Sequence, residues 1–376
     1  MKASFTRFSF KRTTALATAA SLTLLSMAAC GPGDAPTADG DDAPPVTAGG
    51  GGGTIDISGA GATFPAPLFQ RWFDAYNREV DSSVQVSYQS VGSGAGLEQY
   101  INGTVDFGAS EAPITDSEDR MKSFSDAYPY EPLQLPLVGG YVVFAHSIPG
   151  IGDDEMRLSR ETYCGIVNGD ITNWSDPAIA GDNDGLDFPD MEITWVHRSD
   201  GSGTTFVFSN HIDTVCPQWQ AGVGTSIEWP VGIGGQGNEG VAAGIQQTEG
   251  AIGYLSYAYA QLNDIPVSRI ENQAGNYPET LPANASLAFE GEEVPDDFGL
   301  LVPDPANPDA YPIAGLVWVM VYREYEDAEK WQALKEVIEW TLSPDGVALT
   351  EELFYVPMPA TLVDRIMEAL DEVEAG

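Results

Sequence analysis

Apolar and polar positions along this chain switch repeatedly between a period of two and a period near 3.6. "IDISGAG" (55–61) predicts a strand running into a glycine turn. "PAPLFQRWFDAYNREV" (65–80) puts Leu68, Trp72, Ala75 and Tyr76 on one face, with Pro65 near the first helical position, and predicts an amphipathic helix. "VQVSYQSVG" (84–92), "VDFGAS" (105–110), "LVGGYVVFAH" (137–146) and "EITWVHRS" (192–199) predict strands, and "GLEQYING" (96–103) a short helix. Helices are predicted from Thr204, over 237–250 and over 328–342, where Trp331, Leu334, Val337 and Ile338 fall in phase. "YPIAGLVWVMVY" (311–322) is too short to span a bilayer and suits a buried strand. Residues 263–312, rich in Pro, Asn, Asp and Glu, read as loops with a weak strand or two. Strands alternating with helices point to an α/β architecture.

The first 29 residues follow a different pattern. Lys2, Arg7, Lys11 and Arg12 precede an apolar run from Ala15 to Ala29 that ends in "LLSMAAC". This is the layout of a secretory signal. The small residues before Cys30 resemble a bacterial lipoprotein signal, which makes Cys30 the expected lipid anchor; ordinary cleavage near Ala29 is the alternative. Residues 30–53, mostly Gly, Pro, Ala and Asp, read as a flexible tether.

Composition narrows the function. The chain has 376 residues, 43% hydrophobic, enough for two domains with a large core. Its formal charge of −40 argues against nucleic-acid binding, which needs basic surface. Lysine occurs only at Lys2, Lys11, Lys122, Lys330 and Lys335, a balance expected of a protein working in high salt. Equal stability with and without molar salt would contradict that expectation. Besides Cys30, two cysteines remain, Cys164 and Cys216, either bridged in an oxidising compartment or present as two buried thiols.

Three stretches share one design, a glycine-rich turn with a hydroxyl followed at once by a helix: "GAGATFPAP" (59–67), "SVGSGAGLEQY" (90–100) and "DGSGTTFVF" (200–208). A helix start offers free N–H groups and partial positive charge, and glycine lets the backbone come close to a ligand. Plain N-capping explains any one of them. Three together, one beside Arg198, point to an anion site. The Arg198 guanidinium is a planar fork suited to an oxyanion, and Asp200 could brace it. Other motifs fail. "GIGGQG" (232–237) has dinucleotide-loop spacing, but Pro230 stands just before it and no strand is evident. Neither Ser93 nor Ser202 sits in G-x-S-x-G. "GDNDGLDFPD" (181–190) lacks the first and last ligands of a calcium loop, and His146, His197 and His211 have no metal-ligand spacing. No metal or cofactor is expected.

These stretches, with "VGSGAGLEQYINGTVDFGASEAPIT", "RSDGSGTTFVF" and "GNEGVAAGIQQTEGAIGYLSYAYA", resemble the periplasmic phosphate-binding proteins of high-affinity ABC-type phosphate importers. The resemblance runs from about Ser58 to "FYVPMPATLVDRI" (354–366) and weakens over 263–306. It implies a two-lobed α/β clamshell, type II-like, each lobe a mixed sheet flanked by helices, with the ligand in the interlobe cleft. Residues 54–137 and 309–376 would form the first lobe and 138–308 the second. By motif, phosphate would meet Thr63, Phe64, Ser93, Glu111, Arg198, Ser202, Gly203 and Thr204, with Asp200 bracing the arginine. Glu111 stands where the family commonly has aspartate; phosphate over sulfate is still expected, while discrimination against arsenate is left open. The implied protein is not an enzyme. It is a monomer in the periplasm, held to the membrane only by its lipid, that captures inorganic phosphate for an ABC permease. The alternatives are a binding protein for another tetrahedral oxyanion, a secreted phosphatase using Ser93 or Ser202, and a phosphate sensor or adhesin on the same scaffold.

Overall fold

The computed structural model describes residues 53–376; the signal segment, Cys30 and nearly all of the tether lie outside the described residues. Eight strands form the main sheet: β1 (Ile55–Gly61), β2 (Val84–Ser90), β3 (Phe107–Ser110), β4 (Leu133–His146), β5 (Thr194–Arg198), β6 (Ile233–Gly235), β7 (Ala251–Ser256) and β8 (Ala314–Val321). Their order is β2-β1-β3-β8-β4-β7-β5-β6. Strands β1, β2 and β3 run parallel, as do β5, β6 and β7, whereas β4 and β8 are antiparallel to their neighbours.

The 14-residue strand β4 joins two half-sheets and is buried along its whole length. From Leu133 to Tyr141 it pairs with β8, and from Val142 to His146 with β7. This change of partner divides the fold into two lobes, as the α/β clamshell expectation requires. Pro136 is paired with Trp318 beside the register shift between Val317 and Trp318, where an irregular ladder tolerates a residue without an N–H. That is why β4 extends further back than the apolar run at 137–146 indicates.

Helices follow the strands: α1 (Ala66–Glu79), α2 (Ser93–Ile101), α3 (Glu118–Ala127), α4 (Arg160–Asn168), α5 (Gly203–Val215), α6 (Gly237–Gln247), α7 (Tyr257–Leu262), α8 (Ala328–Thr341), α9 (Pro344–Glu352) and α10 (Ala360–Asp371). In parallel α/β units each helix begins at the carboxyl end of the preceding strand, where ligands bind. The starts of α1, α2, α5 and α6 all meet that condition, following β1, β2, β5 and β6.

Helix α1 buries Leu68, Trp72, Ala75 and Tyr76, the face its spacing predicts, and α8 buries Trp331, Leu334, Val337 and Ile338. The indole of Trp72 donates to the Gly346 carbonyl at 2.9 Å, so segments 274 residues apart pack together. In the second lobe Phe208 stacks on Tyr254 with ring centroids 4.3 Å apart. Cys164 of α4 is joined to Cys216, just beyond α5, with Cα atoms 5.6 Å apart. Closing that loop stabilises the fold by on the order of 4 kcal/mol in the chain-entropy picture. Between Ile270 and Ala314 regular structure is sparse, a short helix at Pro282–Ser286 and one 3₁₀ turn. Among the described residues, no helix is long and apolar enough to cross a membrane, and no cluster of side chains could hold a metal ion.

Two local expectations change. Helix α2 begins at Ser93, not at Gly96, so Ser93 itself sits in the first turn. "GIGGQG" does contain a strand: β6 leads straight into α6, a fourth glycine-rich helix start beside the three read from the sequence.

Candidate functional site

Strand β5 ends on Arg198, which is only 3% exposed. Its Nε donates to Asp200 Oδ1 at 2.8 Å and its Nη2 to Asp200 Oδ2 at 2.5 Å, a bidentate pair. The N–H of Gly237, at the start of α6, adds a bond to Asp200 Oδ1 at 3.0 Å. Burial by itself would raise the Asp200 pKa, but the hydrogen bonds and charge of Arg198 and the Gly237 N–H outweigh it and hold the carboxyl below its ordinary value. Burial likewise works against the arginine's charge, and Asp200 overcomes it. The remaining nitrogen, Nη1, reaches Thr204 Oγ1 at 3.3 Å.

The start of α5 lies beside this pair. Ser202 is its N-cap, accepting the Thr205 N–H at 3.1 Å, which leaves the hydroxyl proton of Ser202 free to donate. The Gly203 N–H crosses to the first lobe and donates to Ser93 Oγ at 3.0 Å. A Cβ on Gly203 would collide with both Glu111 and Ser93.

Glu111 follows β3 and is 1% exposed. Its carboxylate accepts from Ser93 at 3.1 Å and, across the cleft, from Thr204 at 2.9 Å. Burial pushes its pKa above the ordinary carboxylate value; the two hydroxyls and the Arg198 charge pull the other way without cancelling it. A carboxyl group held this way readily shares a proton.

Thr63 and Phe64 stand at the head of α1, both 2% exposed. Three tyrosines hold successive carbonyls there: Tyr88 donates to Ala62 at 2.8 Å, Tyr259 to Thr63 at 2.8 Å and Tyr355 to Phe64 at 2.6 Å. The Ala62 and Thr63 carbonyls share their peptides with the N–H groups of Thr63 and Phe64, and these two N–H groups have no partner among the described residues. The Phe64 ring packs over Gly140 of β4, where a Cβ would collide with it, so this residue offers its backbone, not its side chain.

The structure therefore brings Thr63, Phe64, Ser93, Glu111, Arg198, Asp200, Ser202, Gly203 and Thr204 to one buried place where the lobes meet. Asn238, in the first turn of α6, is the residue that motif reading passed over. Fully buried, it donates from Nδ2 to Thr63 Oγ1 at 2.8 Å and to Thr204 Oγ1 at 3.1 Å. The stretch that holds it, "GNEGVAAGIQQTEG", predicts a helix and belongs to the family resemblance, but neither reading gives Asn238 a role. Arg120 of α3 is another residue the sequence does not single out: it donates to Thr225 Oγ1 of the other lobe at 2.8 Å. One cation, several backbone N–H groups and hydroxyls, and one carboxylate acceptor form a set that can hold a tetrahedral oxyanion carrying a proton.

A PBP superfamily domain matches residues 34–345. The chain is 36% identical over 317 residues to the phosphate-binding protein PstS of Xylella fastidiosa (strain 9a5c), covering 83% of this chain and 84% of that one. It is 32% identical over 312 residues to the phosphate-binding protein PstS of Methanocaldococcus jannaschii, covering 77% and 79%. A solved high-affinity periplasmic phosphate-binding protein, bound with phosphate at pH 8.5, has the same fold, with a TM-score of 0.68 at 23% identity over 84% of this chain and 93% of that one. A domain match over most of the chain and relatives of this closeness place the protein in the PBP superfamily, in the family of the PstS phosphate-binding proteins.

Proposed function

We propose that this protein captures inorganic phosphate between its lobes and delivers it to the membrane permease of an ABC importer, without chemical turnover. The observation that carries this reading is Glu111, a buried carboxylate facing Arg198 and the donor groups of the helix starts. Near neutral pH phosphate retains a proton and can donate it to that carboxylate. Fully ionised sulfate would set a negative charge against it. An unpaired or repelled buried acceptor costs several kcal/mol by rough estimate, so the wrong anion is penalised. Glu111 is one methylene longer than the family's aspartate, and its two oxygens are spread between Ser93 and Thr204, which keeps the acceptor in the cleft.

The chain's net charge of −40 does not oppose this. Surface carboxylates are screened over about 8–10 Å at ordinary salt, whereas a buried anion meets Arg198 and the helix starts at contact distance. In this reading residues 54–137 and 309–376 carry one share of the site and 138–308 the other. Cys30 anchors the tethered monomer on the outer face of the membrane, in the periplasm.

The direct test is titration calorimetry of the full chain with phosphate. One saturable site per chain is expected, with no phosphate-ester hydrolysis by the same preparation. Absence of heat with phosphate, or heat with sulfate or molybdate instead, contradicts the proposal.

A further inference from the structure

Thr63 belongs to the first lobe, yet two residues of the second lobe hold it. The first is Asn238. Its backbone N–H reaches Thr63 Oγ1 at 3.1 Å and its side-chain Nδ2 reaches the same oxygen at 2.8 Å. The direction of this amide is not arbitrary. Asn238 Oδ1 accepts the backbone N–H of Ser256 at 2.9 Å, and because a backbone N–H only donates, Nδ2 must face the threonines. A threonine hydroxyl has two lone pairs and one proton. Asn238 takes both lone pairs of Thr63, so the proton points away from Asn238 and the hydroxyl acts as a donor.

The second is Tyr259 of α7, whose hydroxyl donates to the Thr63 carbonyl at 2.8 Å. In a planar trans peptide the carbonyl of Thr63 and the N–H of Phe64 point in opposite directions. Tyr259 adds to the bond that the Ala66 N–H makes to this carbonyl at 3.2 Å, and fixing the carbonyl fixes the direction of the Phe64 N–H.

We propose that Asn238 and Tyr259 are positioning residues that complete the Thr63 hydroxyl and the Phe64 N–H as phosphate donors when the lobes close; before closure the Thr63 carbonyl keeps only its local bond from the Ala66 N–H, at 3.2 Å. In an open molecule both contacts are broken, the Thr63 hydroxyl rotates freely and the peptide after it loses its outer brace. Closure thus assembles part of the site, and the two residues act on how long phosphate stays, not on how fast it arrives. The inference rests on the phosphate reading above.

Tyr355 supplies the control. It also donates to a carbonyl in this turn, that of Phe64, at 2.6 Å. The residue after Phe64 is Pro65, which has no N–H, so this bond aims no donor into the cleft.

The test compares phosphate affinity and dissociation rate for the full chain as wild type, Tyr259→Phe, Asn238→Asp and Tyr355→Phe, with melting of each protein without phosphate as the fold check. Tyr259→Phe is expected to dissociate phosphate about five- to tenfold faster at an unchanged association rate. Asn238→Asp puts acceptor oxygens where Nδ2 stood and turns the Thr63 proton away from the anion; a loss of about a hundredfold or more is expected. Tyr355→Phe should melt earlier yet bind phosphate within about twofold of wild type. If Tyr259→Phe and Tyr355→Phe lose affinity equally, or if Tyr259→Phe binds as wild type does, the inference is overturned. Should Asn238→Asp not fold, the two tyrosine variants decide alone. A wild type that binds no phosphate overturns the functional reading itself; a wild type that binds alongside unaffected variants overturns only this inference.

Discussion

The two lobes contribute to the cleft in different ways. The charged part of the second lobe's share is held within that lobe: Arg198 is locked to Asp200, Asp200 is held by the Gly237 N–H, and Ser202 caps its own helix. The first lobe's share depends on contacts from outside. Glu111 shares a bond with Thr204, Ser93 receives the Gly203 N–H, and Thr63 is held by Asn238 and Tyr259, all donors or acceptors of the second lobe. The difference separates two jobs. A preformed charge-bearing half can take hold of an anion before closure, and a half finished by closure can choose which anion remains.

The most damaging way to break the gripping half is Arg198→Ala. It removes the cation and strands Asp200 in a partly buried place, and phosphate affinity should fall by about a thousandfold or more in calorimetry. An effect below tenfold would mean that the helix starts alone carry the anion. The choosing half is broken by Glu111→Gln, which keeps the shape and removes the charge. Phosphate binding should weaken by roughly tenfold to a hundredfold while sulfate becomes a measurable competitor.

Acid should separate the lobes by stability. His146 ends β4 and His211 lies in α5, both fully buried in the second lobe. Burial lowers each pKa to about 4; among the described residues His146 has no hydrogen-bond partner for either ring nitrogen, and His211 is held between the Pro303 carbonyl and Tyr163. A histidine kept neutral in the fold but free to protonate near pH 6.5 when unfolded gives full stability above that pH. That stability is lost as pH falls from about 6.5 towards 4, at up to roughly 3 kcal/mol per group. Glu111, with its raised pKa, acts in the opposite sense, since protonation in the folded first lobe relieves a buried charge. Hydrogen exchange at pH 7 and pH 5 should therefore show protection lost first in β5, β7 and α5; uniform loss across both lobes contradicts the contrast.

The smallest effect is expected at the rim, where the Gly94 N–H meets the Gly201 carbonyl at 2.9 Å across the lobes. A Cβ on Gly94 would meet Gly201 first, with its Cα 3.1 Å away. Gly94→Ala should slightly raise the melting temperature by improving α2, and weaken phosphate binding about two- to fivefold by crowding closure. A variant that binds unchanged would show that the rim does not limit closure.

Much of the gripping half could be read from the sequence, because its parts are local. "RSDGSGT" places the arginine, its acid and a capped helix start within seven consecutive residues, and the α1 and α2 starts show the same glycine-and-hydroxyl pattern. The periodicity of α1 and α8 predicted their buried faces correctly. What stayed hidden depends on contacts far apart in the chain. Asn238 meets Thr63 across 175 residues and Tyr259 meets it across 196; both lie in the family-like stretch 237–260, but that stretch does not say which distant residue they hold. The strand β6 escaped notice because three residues, two of them glycine, carry no alternation. The early part of β4 was obscured by Pro136, which the bulge accommodates.

The central claim is that a carboxylate chooses the anion that an arginine grips. Competition calorimetry on the wild-type full chain at neutral pH tests it most directly, titrating phosphate in the presence of a large excess of sulfate. The account predicts that sulfate leaves phosphate affinity nearly unchanged beyond ordinary ionic-strength effects. Displacement of phosphate by sulfate at comparable concentration would contradict it.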